Sequence, residues 1–413
     1  MSSTPSYRPN DYADISKLIS DPSYADSKHI YVKQFEHLYV LKYIKTKLTT
    51  ENINSLGLFR SLIVNQYGNI VSFSPQKSLD FDVFSQSNKY EECYIQHFPE
   101  GTMINVFFDT HIDDWQITTR SSIGAKCNFN MDSNITYRYM FLDAMNHLGM
   151  EFDQLDKNCS YSFVLQHPKN RIVVPIKEPM LILTNKYRIV NNEVFNENNE
   201  NHSTMRKYPV VTMNKLTDKE FTKSLLYTGN NWQDLIHHFF SDNLSYQLQG
   251  VVIWNNKGQR TKIRNSNYEK IKHLKGNSPK LQYHYYYLRQ NGAVGDFLKY
   301  YPEYRQEFSD FRKELHKYTN QLYQNYINCF IKKQKPLIEY PYNFKTHMYK
   351  IHEHYLNELK DEGKYVNKSV VVDYVNTLPP PRLMYSVNHI KKQYDKDQKI
   401  VTSDLKVLMK PQN

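Results

Sequence analysis

The spacing of apolar residues changes near residue 276, and this change limits the folds that the 413-residue chain can adopt. Before it, short apolar runs end at polar turns, as in LFRSLIVNQYGNIVSFSP, which predicts a β-hairpin around NQYGN. Beyond it, large apolar residues recur every three or four positions up to Pro336, which predicts a long amphipathic helix. The sequence therefore predicts an α+β domain over residues 1–275 and a mostly helical domain over residues 276–413.

Other segments of the first domain predict further strands and helices. Strands are predicted for TMINVFFD, WQITTRSS, YSFVLQHPKNRIVV and MLILTNKYRIV, and a second hairpin for YQLQGVVIWNNKGQRTKIR with the turn NNKG. Helices are predicted for TYRYMFLDAMNHLG and NWQDLIHHFF. Residues 1–50 are predicted to be a helical lead-in, because Leu38, Leu41 and Ile44 stand at helical spacing.

The composition is that of a basic globular protein. Hydrophobic residues make up 40% of the chain, which excludes an intrinsically disordered protein, and the formal net charge is +11. This charge favours polyanionic partners, although a chain rich in Asn, Lys, Ile and Tyr also fits an AT-rich genome. The four cysteines show no CxxC spacing, so neither disulfides nor a zinc site is predicted. We predict no signal peptide and no membrane span, and expect a soluble protein.

Six segments follow one another in an order that is typical of one enzyme family. Arg60 in FRSLI and Lys77 in SPQKSLDF come first, and PEGTMINVF follows them. The later segments are WQITTRSSIGA, YSFVLQHPKNRIVV and LQGVVIWNNKGQRTKIRNSNY. In this order, residues 57–275 resemble the covalent nucleotidyltransferase superfamily, and within it the phage-type ATP-dependent RNA ligases. The resemblance implies an RNA ligase-like nucleotidyltransferase domain, built of antiparallel sheets with flanking helices.

Three residues that the resemblance implies for covalent catalysis are replaced. A lysine that attacks the α-phosphorus of ATP is implied three places before Gly101, but this chain has Phe98 there. A phenyl ring cannot form the phosphoramidate bond. Val164 replaces a glutamate that would hold the ribose, and Gln249 replaces a second glutamate before Gly250. The covalent step is therefore predicted to be lost.

The cations that the resemblance implies around the nucleotide are kept. The predicted nucleotide- or phosphate-binding residues are Arg60, Lys77, Glu100, Arg120, Arg171, Gln249, Lys262 and Arg264. Magnesium is held by carboxylates and substrate phosphates, so losing acids while keeping bases lowers metal affinity more than phosphate affinity. We predict an anion-binding groove with no catalytic residue, no metal ion and no required cofactor, where ATP or GTP binds without covalent transfer.

His97, Lys77 and Lys262 are the alternative nucleophiles that the sequence offers. His97 is adjacent to position 98, but neighbouring residues on an extended segment face opposite ways. Lys77 and Lys262 match nucleotide-binding positions of the family. If either lysine were the nucleophile, it could no longer serve that binding role. A displaced nucleophile therefore stays as an alternative to a degenerate site.

The segment KLQYHYYYLRQ of the helical domain combines tyrosines with cations. Lys280, Tyr283 and Arg289 are side chains of the types that bind single-stranded RNA through phosphate contacts and base stacking. The interpretation that we favour is a buried helix with Tyr285 and Leu288 on one face. The histidines of HMYKIHEHY are not predicted to bind zinc, because the segment lacks an HExxH pattern.

Three functions stay open, and the missing lysine favours the first. The first function is that of a catalytically degenerate scaffold or RNA-binding subunit in viral mRNA metabolism. A viral origin is expected because KIRNSNYEKIKHLKGNSPKLQY and NTLPPPRLMYSVN resemble ligase-like proteins of giant DNA viruses. The second is an active RNA ligase or end-modifying nucleotidyltransferase with a displaced nucleophile, and the third is a structural virion component. RNA is the predicted partner, proteins would bind the helical domain, and no membrane is involved. The expected location is the host cytoplasm, a viral factory or the virion.

Overall fold

The structure is a computed structural model that describes residues 7–128, 134–197, 211–212 and 229–389. The chain divides into two compact units, Met1–Lys275 and Gly276–Asn413. Helices and antiparallel sheets are both present, so the fold is mixed helix and sheet.

Three sheets form the first unit. Their strands are β1 Ile30–Phe35, β2 Leu38–Tyr43, β3 Leu62–Asn65, β4 Ile70–Ser72, β5 Tyr94–His97, β6 Thr102–Asp109, β7 Asp114–Thr118, β8 Cys159–Gln166, β9 Met180–Val190, β10 Glu193–Asn196, β11 Val211–Thr212, β12 Gly250–Trp254 and β13 Arg260–Arg264. The first sheet has the order β1-β2-β3-β4 and the third has the order β13-β12-β5. The second has the order β10-β9-β8-β6-β7, and β11 pairs in parallel with β9.

Helices flank these sheets. They are α1 Ile15–Ser20, α2 Pro22–Ser27, α3 Phe81–Ser87, α4 Tyr137–His147, α5 Trp232–Phe239 and α6 Ser266–Lys275. The side chains of Asp21, Thr136 and Asn231 accept hydrogen bonds from backbone N–H groups in the first turns of α2, α4 and α5. The first backbone N–H groups of a helix have no acceptor within the helix, and these capping side chains supply one. They therefore fix where the helices begin.

Each sheet of the first unit packs against different helices. Leu18 of α1 lies in one apolar cluster with strands of the first sheet. Phe141 of α4 packs against Phe163 of β8, with ring centroids 5.8 Å apart. Phe84 of α3 and Phe239 of α5 cover the third sheet. Burial of Phe84 and Phe239 holds the third sheet, which carries β13, in a fixed position.

Buried polar side chains join the first and second sheets. Ser72 Oγ lies 2.9 Å from Ser160 Oγ, and Asn105 Nδ2 donates to Ser74 Oγ at 2.7 Å. Ser162 Oγ donates to Asn105 Oδ1 at 2.8 Å. All five side chains are buried, and their mutual hydrogen bonds offset the cost of removing them from water.

The predicted helical lead-in over residues 1–50 is wrong for β1 and β2, which form a hairpin with Glu36 in the turn at φ +51°. The strand β2 is apolar on both faces. Leu41 packs in the cluster that contains α1, whereas Leu38 and Val40 pack in another cluster with Phe107. A strand that is buried on both faces loses the apolar–polar alternation, so its apolar spacing resembles that of a helix.

The two predicted hairpins are confirmed as β3–β4 and β12–β13. The predicted strands are confirmed as β6, β7 and β9, and the two predicted helices as α4 and α5. The strand predicted for YSFVLQHPKNRIVV is confirmed as β8 only up to Gln166, because Pro168–Asn170 form a short 3-10 helix.

The described residues of the second unit, 276–389, are helical and include no strand. Their helices are α7 Leu281–Gln290, α8 Val294–Tyr300, α9 Arg305–Tyr326, α10 Tyr342–His354 and α11 Lys368–Thr377, followed by a helix over residues 380–389. The predicted long amphipathic helix is confirmed as α9, which buries Phe308, Leu315 and Leu322 and continues into a π-helical turn, Ile327–Ile331. Within the described ranges, no helix has the length and apolar character needed to cross a membrane.

Candidate phosphate-binding site

A cavity of about 1010 Å³ lies beside β13 in the first unit. Its walls come from residues 45–53, residues 77–83, β13 and the helices α5 and α6. The charged residues of the walls are Lys45, Lys77, Lys262, Arg264, Lys270, Asp80, Asp82 and Glu269. Lys77, Lys262 and Arg264, which were predicted to bind phosphate, therefore line one cavity.

The strand β13 carries three cations on one face. Arg260, Lys262 and Arg264 stand at alternate positions, and successive side chains of a strand point to opposite faces. Ile263, on the other face, packs with Phe84 in the core of the third sheet. Pairing of β13 with β12 fixes the register, so the cations cannot exchange faces with the apolar residues.

Lys262 is half-buried and lies among cations. Burial lowers the pKa of its amine from 10.5, and four neighbouring cations lower it further, to about 7. These neighbours are Arg264, Arg260, Arg60 and Lys77. We refer to Lys262 and these four residues as the basic cluster. The four cations are the charged groups that lower the pKa of Lys262 most, so an anion bound here would relieve repulsion.

Lys77 has a similar environment. Burial lowers the pKa of its amine, and three arginines of the basic cluster lower it further, against an opposing contribution from Asp80. Its Nζ donates to the carbonyl oxygen of Ser78 at 3.0 Å. Two lysines of the cluster are thus less stable as cations than they would be in water.

Backbone carbonyls hold two arginines of the basic cluster in place. Arg260 donates from Nε to the Gln76 oxygen at 2.8 Å and from Nη2 to the Pro75 oxygen at 3.2 Å, and Arg60 Nη1 donates to the same Pro75 oxygen at 3.3 Å. Burial, and then Arg60, lower the pKa of Arg260 to about 9, so it stays charged at neutral pH. Sequence reasoning missed Arg260, although its place two residues before Lys262 on a predicted strand was a usable signal.

Arg120 lies next to the basic cluster, whereas Arg171 has a local role. Arg120 Nε donates to the Arg60 oxygen at 3.4 Å, and its guanidinium lies 5.3 Å from the Tyr43 ring centroid. Arg171 Nε donates to the Val173 oxygen at 3.0 Å. Neither arginine lines the cavity.

Phe98 follows β5 and touches the basic cluster. Its backbone N–H donates to the Gly250 oxygen at 3.0 Å, which extends the pairing of β5 with β12. The Lys262 Nζ lies 5.3 Å from the centroid of the Phe98 ring, within the range of a cation–π interaction. The amine of Lys262, on β13, therefore lies near position 98, although Phe98 itself has no amine.

Glu100 and Gln249 do not line the cavity. Both carboxylate oxygens of Glu100 accept hydrogen bonds from the N–H groups of Val173 and Val174, at 3.0–3.1 Å, and the side chain is buried. Gln249 is also buried, and its carbonyl oxygen accepts from the Asn265 N–H at 3.0 Å. Glu100 thus holds the chain after Arg171 in place, a role that its position in the sequence did not indicate.

We expect Glu100→Ala to lower the free energy of unfolding by about 2–5 kcal/mol, because the buried N–H of Val173 and the partly buried N–H of Val174 lose their acceptor. Urea denaturation measures the change, and Glu178→Ala, at a carboxylate whose side chain is 74% exposed, is the matched control. If Glu100→Ala kept full stability but lost nucleotide affinity, the binding role implied by the resemblance would hold instead.

Two glycines allow close approach of neighbouring strands. Gly101 and Gly250 have φ angles of +147° and +142°, which side chains other than glycine rarely adopt. A Cβ on Gly101 would lie 2.6 Å from Val164 Cγ1, and one on Gly250 would collide with the Ile263 carbonyl oxygen. Val164, which stands where the resemblance implies a glutamate, is therefore packed directly against Gly101.

Comparisons with known proteins give low similarities. No family model matches the chain. It is 22% identical over 260 residues to the immediate-early protein ICP-46 homolog of Invertebrate iridescent virus 3, which covers 60% of this chain and 52% of that protein. The chain therefore spans about half the length of this curated relative.

Solved structures similar to this chain include ATP-dependent ligases. A putative ATP-dependent DNA ligase from Aquifex aeolicus is 12% identical, with a TM-score of 0.38, over 83% of this chain and 80% of that one. Form 1 of an archaeal ATP-dependent RNA ligase is 10% identical, with a TM-score of 0.36, over 71% and 70% of the two chains. The structural neighbours are thus ATP-dependent DNA and RNA ligases at low identity, and the curated relative is viral.

The residues predicted to bind RNA lie on or next to α7 in the second unit. Lys280 is exposed, Tyr283 is half-buried, and Arg289 donates from Nη2 to Asn376 Oδ1. Tyr285 and Leu288 are buried, which confirms the buried face of this helix. RNA binding by the three residues stays a prediction.

The histidines of α10 contact other side chains. His347 lies 2.8 Å from the Tyr374 hydroxyl through Nδ1 and 3.0 Å from Ser386 Oγ through Nε2. His352 Nδ1 lies 3.2 Å from the Tyr326 hydroxyl. In the part of the chain that the structure describes, no group of three or more His, Cys, Asp or Glu residues could hold a metal ion.

Proposed function

We propose that the first unit binds phosphate groups of RNA or of a nucleotide in the cavity beside β13, without forming a covalent bond to the nucleotide. The observation that carries this proposal is that Lys77, Lys262 and Arg264 line one cavity, where Lys262 is half-buried and its pKa is lowered by burial and by neighbouring cations. Repulsion inside the cluster makes its free state costly, and a phosphate group would remove that cost through charge-assisted hydrogen bonds.

The covalent step is absent from this proposal because position 98 carries a phenyl ring, and a nucleotidyl group needs a nucleophile. Val164 and Gln249 add no carboxylate where the resemblance implies one. On this view the chain is a ligase-like scaffold or RNA-binding subunit that serves viral mRNA metabolism. The net charge of +11 and the similarity to a viral protein support this role.

A second candidate function rests on the position of Lys262 over the Phe98 ring. An amine with a pKa of about 7 is partly neutral at physiological pH, and a neutral amine is a nucleophile. In this alternative, Nζ of Lys262 attacks the α-phosphorus of a nucleoside triphosphate. A P–N bond forms, the bond from the α-phosphorus to the bridging oxygen breaks, pyrophosphate leaves, and the amine releases a proton to water.

One experiment separates the two candidates. The protein is incubated with α-labelled ATP or GTP and a divalent metal ion, and is then run on a denaturing gel. We expect no labelled band for the wild type. A band that acid removes, and that disappears in Lys262→Arg, would assign the covalent step to Lys262, since arginine keeps the charge but stays protonated.

A further inference from the structure

Cations on three helices of the second unit act electrostatically on one imidazole, that of His316. His316 lies on the exposed face of α9, and its pKa is lowered by burial and then by Arg312, Arg289 and Lys368. Arg312 also belongs to α9, whereas Arg289 is on α7 and Lys368 begins α11. The positive charges therefore come from separate elements that the fold brings together.

Hydrogen bonds fix two of these helices against each other. Arg289 donates to the side-chain oxygen of Asn376, and Gln290 Nε2 donates to the Asn376 carbonyl oxygen at 3.2 Å. The end of α7 is thus tied to the end of α11. A cation held in this way loses less side-chain entropy when it contacts a ligand.

The same face of α9 continues as a shallow polar depression. It has a volume of about 470 Å³ and is lined by Lys313, His316, Lys317, Asn320, Gln321 and Gln324. The carboxylate of Asp310 on this helix lies 3.0 Å from Lys313 Nζ, which offsets that lysine but not Lys317. The depression therefore offers positive charge together with amide donors and acceptors, and none of its lining residues is of an apolar type.

We propose that this surface, defined by Arg289, Arg312, His316, Lys317 and Lys368, binds the phosphate backbone of single-stranded RNA. Cations attract the phosphates and release counterions, while the neighbouring amides can pair with ribose hydroxyls and base edges. A membrane surface fits less well, because the lining has no apolar side chain to enter the lipid. The site is a second one, and it does not depend on the cavity of the first unit.

The test uses the full chain and a short fluorescently labelled single-stranded RNA, titrated at several salt concentrations. We expect Arg312→Gln with Lys317→Gln to weaken binding about three- to tenfold and to reduce the salt slope by about 1.4, since each phosphate contact on a single strand contributes about 0.7. Lys350→Gln with Lys360→Gln, at two exposed lysines of the same unit, is the matched control. We expect the control to bind like the wild type.

Equal affinities of the two double variants would overturn the proposal. The proposal would also be overturned if Arg312→Gln with Lys317→Gln bound phosphatidylserine vesicles more weakly than the wild type but bound RNA equally well. A third variant, Lys262→Gln with Arg264→Gln, separates the two sites. If only Lys262→Gln with Arg264→Gln loses RNA binding, the surface of the second unit is ruled out and binding in the cavity is supported. If only Arg312→Gln with Lys317→Gln loses RNA binding, the cavity is ruled out and the surface of the second unit is supported.

Discussion

Replacing Lys262 and Arg264 together by glutamine is expected to weaken the binding of a short single-stranded RNA by about 100-fold or more at moderate salt. Each residue lines the cavity, and a hydrogen bond from a charged group is worth about 1.5–3 kcal/mol, where 1.4 kcal/mol is a tenfold change. The slope of log affinity against log salt should fall by about 1.4 for two lost phosphate contacts. Fluorescence titration at several salt concentrations measures both quantities.

Lys262→Gln alone, which keeps the ion pair of Arg264 with Glu269 at 3.3 Å, should be at least as stable as the wild type when no RNA is present. The folded-state pKa of Lys262, about 7, lies below its ordinary value of 10.5, so burial disfavours its charged form. Between these values the unfolded chain binds more protons than the folded chain, and stability therefore rises with pH across this window. Glutamine removes this penalty, so binding and stability should change in opposite directions. A residue that merely supported the fold would lower both.

The matched control for Lys262→Gln with Arg264→Gln is Lys17→Gln with Lys89→Gln, which removes two exposed positive charges from the same unit. We expect its affinity to stay near that of the wild type, because a distant surface charge is screened by salt. If the cavity variant and this control bound RNA equally well, the basic cluster would have no part in binding.

Binding of RNA is also expected to weaken as pH rises above about 7, by up to tenfold per pH unit. The amine of Lys262 has a pKa of about 7 in the free protein, and a bound phosphate raises it, so binding above that pH requires proton uptake. Below pH 7 the amine is already charged and the affinity should be level. RNA is the suitable ligand because its phosphodiesters keep their charge over this range, unlike a terminal phosphate.

Lys262→Arg is the control for this pH dependence, because arginine stays protonated and keeps the charge at neutral pH. Titrations at a series of pH values should give a sloping profile for the wild type and a flatter one for the variant. This comparison also accounts for His273, which lines the same cavity and is unchanged in the variant. Two profiles of equal slope would show that another group is responsible for the pH dependence.

Local sequence patterns predicted most of the secondary structure that the fold depends on. The hairpins β3–β4 and β12–β13 and the long helix α9 were found because their apolar residues follow a period that one buried face imposes. The strand β2 was missed because Leu41 faces one cluster while Leu38 and Val40 face another. That second cluster forms only when distant strands pack, so no local pattern reports it.

The candidate site was predictable in part. Ordered motifs pointed to Lys77, Lys262 and Arg264, which do line one cavity. They also pointed to Glu100, whose carboxylate instead accepts hydrogen bonds from backbone N–H groups far along the chain. A carboxylate that binds a ligand and one that binds the backbone look alike in sequence, since the difference lies in which donors the fold brings near it.

The sequence by itself determined that residue 98 has no amine and that Lys262 and Arg264 stand two apart on a predicted strand. Tertiary structure alone decided which other cations surround Lys262 and how deeply it is buried. The physical reason is that a pKa depends on distances through space and on exclusion of water. Neither quantity is written in the spacing of residues along the chain.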